Sequence, residues 1–134
     1  MNSSLFVSLV VVVFAGILHF LGTYHELYYI LPWYDIPMHF ITALGVGFFA
    51  VWVQGIFWNQ TQSRFLLSSV WVLSAVLCVA VAWELFELYS GITYVGMFTP
   101  MGFTYGQDTI KDISIGLFGG LVALVASRLA LRRS

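Results

Sequence analysis

Four long apolar runs constrain this chain more than anything else in it. A helix needs about 20 predominantly apolar residues to cross the hydrocarbon core of a bilayer. Four segments reach that length, at about 5–24, 36–58, 65–89 and 109–131. The connections between them are too short for a separate soluble module, so residues 1–134 read as a single transmembrane domain. The expected fold is all-α, an integral membrane four-helix bundle. Only 8% of the residues are charged, where a soluble domain carries roughly a quarter, and the mean hydropathy is +0.94.

The same composition excludes several functions. A net charge of −1 without any basic block argues against nucleic acid as a partner. The single cysteine, Cys78, rules out an internal disulfide framework and a thiolate metal site, and it reads as a small hydrophobe in the packing. The first apolar run lacks a basic n-region and a small-residue cleavage site, so it reads as a retained helix rather than a signal peptide.

The linkers set the orientation. Residues 24–34, "YHELYYILPWY", have the aromatic density of a membrane-interface belt. Residues 59–64, "NQTQSR", form a short polar turn, and residues 91–107 a longer linker rich in Gly and aromatics. Arg64, Arg128, Arg132 and Arg133 all fall on one side of a four-span arrangement. The positive-inside rule then places both termini in the cytoplasm of a multi-pass protein of the cell (inner, cytoplasmic) membrane.

A polarity follows from that orientation. Every acidic residue, Glu26, Asp35, Glu84, Glu87, Asp108 and Asp112, falls at the outer span ends, as do His19, His25 and His39. Lys111 is the one basic residue among them. Positions three or four apart share a helix face, and membrane helices pack through small residues. Asp108, Asp112, Gly116 and Gly120 step along one face of the fourth span; His39, Ala43 and Gly47 do so on the second, with Asp35 one turn above. Ser8, Ala15, His19 and Gly22 lie near one stripe of the first, and Glu84 and Glu87 share a face with Ala80. Packing faces that lead to ionisable groups predict one polar cluster in the outer half of the bundle.

Some members admit a plainer role. Asp35 and Asp108 each suit a helix N-cap, with Pro37 tolerated in the first turn after Asp35. His25 and Glu26 suit the solvated interface, and His19 suits a hydrogen-bonded core position as well as a site. Glu84, Glu87 and Asp112 resist such readings: the glutamates lie near a helix C-terminus, where the dipole disfavours anions, and Asp112 lies a full turn inside its helix. Two carboxylates about 5 Å apart repel by roughly 3 kcal/mol at an effective dielectric of 20. The group must therefore share protons, recruit Lys111 or bind a cation. Asp35, His39, Glu84, Glu87, Asp108 and Asp112 are the candidate ligands, and carboxylates plus one imidazole suit a divalent metal ion: Mg²⁺, Mn²⁺, Fe²⁺ or Zn²⁺.

Three motifs, "YDIPMHF", "WELFEL" and "GQDTIKDISIGLFGG", follow one another on successive spans. In that order they resemble the YjdF-like family of small inner-membrane proteins and, more distantly, the VanZ-like family associated with teicoplanin resistance. The resemblance covers about residues 33–120 and implies that the six candidate ligands are the family's polar positions. It implies no particular reaction. The VanZ-like pattern has Gln near Glu87, Asn near Asp112 and an Arg before the last span that this chain lacks. YjdF-like relatives typically carry more spans.

Three functions fit these residues. The first is a metal-assisted enzyme acting on an envelope lipid or phosphate at the outer leaflet, with a metal-polarised phosphoryl group and His39 or a glutamate as base. The second is a proton- or cation-handling transporter. The third is a small structural subunit of a membrane complex. Expected partners are the lipid bilayer, a lipid headgroup or other membrane subunits.

Overall fold

The computed structural model describes residues 3–58, 65–90 and 101–131. The "NQTQSR" turn with Arg64, the first ten residues of the long aromatic linker, and Arg132 and Arg133 lie outside the described residues. All regular structure among the described residues is helical. Helix α1 runs Ser3–Tyr24, a short α2 Leu27–Ile30, α3 Asp35–Phe57, α4 Phe65–Ser90 and α5 Tyr105–Leu131. A single 3-10 turn, Pro32–Tyr34, leads into α3. Four stretches, Ser3–Tyr24, Pro32–Phe57, Phe65–Ser90 and Tyr105–Ala130, are long and apolar enough to cross a membrane.

Helix α3 is the hub: it packs on α1, α4 and α5, and α4 also packs on α5. Two of its glycines explain how. A Cβ built on Gly45 would lie 2.8 Å from a Val12 methyl on α1, and one on Gly47 would lie 2.7 Å from the Ala123 methyl on α5. Lipid tails are as apolar as the helices, so close backbone approach, rather than burial from water, drives association here. The α1–α3 contact is reinforced by the buried Ser8 hydroxyl, which donates to the Gly45 carbonyl at 2.9 Å. Tyr34 donates to the Leu18 carbonyl at 2.8 Å, tying the 3-10 turn back to α1.

The end of the bundle formed by the C-termini of α3 and α5 and the N-terminus of α4 holds a compact core of Ala50, Val51, Val72 and Leu124. Beside it Gln54 donates to Ser68 at 2.9 Å, and Arg128 reaches the same hydroxyl. Cys78 is exposed on α4 rather than packed, so its expected place in the core is corrected.

Two helix starts differ from the sequence reading. Helix α5 begins at Tyr105, one turn before the expected 109, and its cap is Thr104 with Gln107. The Gln107 Oε1 accepts from both the backbone N–H and the hydroxyl of Thr104, each at 3.0 Å. This is the back-reaching half of a capping box, so Asp108 is not the cap. Asp35 likewise makes no capping bond: it is the first residue of α3, already helical at φ −60°, ψ −40°. Both aspartates are thereby free of terminal duty and available to the cluster.

Candidate functional site

The starts of α3 and α5, the end of α4 and the end of α1 meet at one end of the bundle. Helix α3 has 23 residues and is therefore about 35 Å long at 1.5 Å per residue, against a hydrocarbon core of about 30 Å. His39 lies one turn into α3, Glu84 and Glu87 within the last two turns of α4, and Asp112 two turns into α5. The cluster sits at the rim of the apolar slab rather than at its centre.

Lys111 organises one half of it. Its Nζ donates to Asp108 Oδ1 at 2.7 Å and to Asp35 Oδ2 at 3.3 Å, and it lies 3.1 Å from Asp112 Oδ1. The ammonium also stands 5.6 Å from the centre of the Phe103 ring. His39 Nε2 lies 3.2 Å from Asp35 Oδ1 and 3.8 Å from Asp112 Oδ2. The aspartate half is thus served by a built-in cation.

The glutamate half is different. One carboxylate oxygen of Glu84, one of Glu87 and a ring nitrogen of His39 all lie within 4.8 Å of one another. Glu84 is 3% exposed and Glu87 9%. Thr109 donates to Glu84 Oε2 at 2.8 Å, and Trp83 Nε1 donates to Glu87 Oε1 at 2.7 Å. Tyr105 donates to the Glu84 backbone carbonyl at 3.2 Å, which pins this turn of α4 against α5. Glu84 Oε1 is buried with no hydrogen-bond partner, whereas the oxygens of Asp112, which is 1% exposed, face the Lys111 ammonium at 3.1 Å and His39 Nε2 at 3.8 Å. Buried polar atoms are nearly always satisfied, so Glu84 Oε1 marks the place where something is expected. Asp35, His39 and Asp112 form a second grouping of the same tightness, but Lys111 already stands among its oxygens.

All six candidate residues therefore belong to one constellation with His39 at its centre. The expectation for His19 divides. It is exposed rather than on the buried stripe with Ser8, Ala15 and Gly22. It hydrogen-bonds the Tyr28 hydroxyl at 2.8 Å through Nδ1 and meets the Trp83 ring edge-on at 5.8 Å. Burial, aided by the Asp35 charge, raises the Tyr28 phenol above its ordinary range and keeps it protonated. His25 and Glu26 are exposed, as expected of the interface, with Glu26 in the left-handed conformation at φ 56° between α1 and α2.

The sequence reading passed over one feature. A cavity of about 510 Å³ runs from this cluster along α1, α3 and α4, and its lining includes Asp35, His39, Glu87 and Lys111 at one end and Val12, Val46 and Val76 at the other. Helical periodicity orders the faces of each helix separately and carries no sign of a gap between two of them.

No curated protein and no solved structure matches this chain. A family described as "Predicted membrane protein (DUF2238)" matches residues 4–133, nearly the whole sequence, and the chain belongs to that family.

Proposed function

We propose that His39, Glu84, Glu87 and Asp112 hold one divalent cation at the outer rim of the bundle, in a cytoplasmic-membrane protein whose termini both face the cytoplasm. The observation that carries this reading is Glu84. A carboxylate 3% exposed, with one oxygen held by Thr109 and the other unpartnered, sits beside a second glutamate and an imidazole. Two such carboxylates cost each other roughly 3 kcal/mol at an effective dielectric of 20, and a cation removes that cost while taking up the free lone pairs. Three carboxylates and one imidazole favour Mn²⁺ or Fe²⁺, with Mg²⁺ and Zn²⁺ as weaker fits. Asp35 bonds His39, and Lys111 ties Asp35, Asp108 and Asp112 together, the usual role of groups behind a metal's ligands.

A purely structural network is disfavoured because such networks stabilise only when every member is satisfied. A conduit is disfavoured by the Val51, Val72 and Leu124 core at the opposite end of the bundle. The YjdF-like resemblance of the three motifs sits within the family membership, whereas the VanZ-like resemblance rests on the motifs alone. A cation at this depth would polarise a phosphoryl or carbonyl group brought to the headgroup level. Metal analysis of the purified protein tests the reading. One divalent ion per chain is expected in the wild type and a loss of most of it in Glu84→Gln. A metal-free protein that takes up no Mn²⁺ on incubation overturns it.

A further inference from the structure

The 510 Å³ cavity is lined by α1, α3 and α4, with Asp108, Lys111 and Gly116 of α5, and α1 and α4 are not a packed pair as α1–α3 and α4–α5 are. Val12 on one wall is 47% exposed and Val79 on the other 46%. A Cβ placed on Gly16, between them, would meet nothing within 4 Å. The volume falls in the range of roughly 300–1,000 Å³ typical of ligand sites. It holds on the order of 17 groups the size of a water molecule, taking about 30 Å³ for each, and a methylene is of that size.

The lining changes character along the cavity's length. The deep part is valine and alanine; the mouth carries Glu87, Asp35, Asp108 and Lys111, with Tyr28 and Glu26 above them. An elongated apolar slot ending in charge at headgroup depth has the polarity of an amphiphile lying along the membrane normal. The sign of that charge selects the head. Asp35, Asp108 and Asp112 stand against Lys111, and Glu84 and Glu87 against His39, so carboxylates outnumber basic side chains five to two. With all five ionised, the formal charge stays negative even with one divalent cation bound and His39 protonated. An anionic head is repelled there, and an ammonium is attracted.

We propose that the cleft between α1 and α4 takes one acyl chain of an aminophospholipid from the surrounding leaflet, with its ammonium against the Glu87 and Asp35 rim. The chain assignment stands on the cleft alone, and the head assignment holds with or without a metal ion in the cluster. Its failure and that of the cation site are therefore separable, provided metal content is measured on the same samples.

The test is native mass spectrometry of the full chain released from nanodiscs of equal phosphatidylethanolamine and phosphatidylglycerol. The wild type is expected to emerge with one phosphatidylethanolamine. Gly16→Phe fills the slot from α1, and Val79→Trp fills it from a membrane-exposed position on α4. Both are expected to lower lipid retention tenfold or more with metal content unchanged. A wild-type chain that emerges bare, or retention undiminished in both variants, overturns the proposal. Equal retention of phosphatidylglycerol overturns the head assignment. A dimer that Gly16→Phe dissociates would give the cleft to a second copy of the chain and would also overturn it.

Discussion

Lys111→Met should be among the most damaging single replacements in this protein. The ammonium lies 2.7, 3.1 and 3.3 Å from carboxylate oxygens of Asp108, Asp112 and Asp35. At an effective dielectric of 20, each contact is a gross attraction of roughly 5–6 kcal/mol. Desolvation of the lysine and the aspartates offsets most of that sum. What survives in comparable cases is a loss of about 3–5 kcal/mol when one partner of a buried pair is removed. The methionine fills much the same space, so the loss is electrostatic rather than a cavity effect. Thermal unfolding in detergent, followed by tryptophan fluorescence, should drop by on the order of 10 °C, taking a few degrees per kcal/mol. Adding Asp108→Asn should recover part of the drop, because it removes one of the stranded charges. The variant should also respond to Mn²⁺ more strongly than the wild type, since Asp35, His39 and Asp112 are then free to bind a cation. A shift below about 2 °C, or a double variant worse than the sum of its parts, would refute the claim that Lys111 neutralises the aspartate half.

Other outcomes follow from the same geometry. Gly119→Ala should destabilise by about 1–3 kcal/mol through overpacking, because its Cβ would lie 2.6 Å from the Phe40 carbonyl oxygen. Gly16→Ala, with open space around it, should instead stabilise by up to about 1 kcal/mol through helix propensity; the same unfolding measurement checks both. Gln107→Ala should cost about 1 kcal/mol by removing the bond to the Thr104 N–H, and amide hydrogen exchange should report it as fraying of the first turn of α5. A green fluorescent protein fused to the C-terminus should fluoresce in cells if both termini are cytoplasmic. A dark but fully expressed fusion would reverse the orientation and move the site to the inner leaflet.

Hydrophobicity and small-residue spacing made the spans and the inward faces of α3 and α5 legible. Asp108, Asp112, Gly116 and Gly120 are all buried in one stripe, because membrane helices pack where side chains are small. The same logic misjudged His19, since α1 packs mainly on α3 and leaves the far side of its stripe over the open cleft. Helix starts were legible only to within a turn. The Thr104–Gln107 cap is preceded by Gly102 and encloses Gly106, so the stretch reads as linker until the side-chain bonds are seen. Least legible was the division of labour within the cluster. Lys111 looked like one cation among many acids, and the sequence carried no sign that it would take the aspartates and leave the glutamates to the neutral donors Thr109 and Trp83. That division depends on how α3, α4 and α5 are rotated against one another, which a single sequence does not encode at the level of individual residues.

The central claim is that a divalent cation binds against Glu84, Glu87 and His39 on the Asp112 side, rather than among Asp35, Asp108 and Lys111. Anomalous X-ray diffraction from crystals grown with Mn²⁺, collected above and below the manganese edge, tests it most directly. The account predicts one anomalous peak per chain, bounded by His39, Glu84, Glu87 and Asp112, that disappears in Glu84→Gln. A map with no peak at that position, or a peak among Asp35, Asp108 and Lys111 instead, would contradict it.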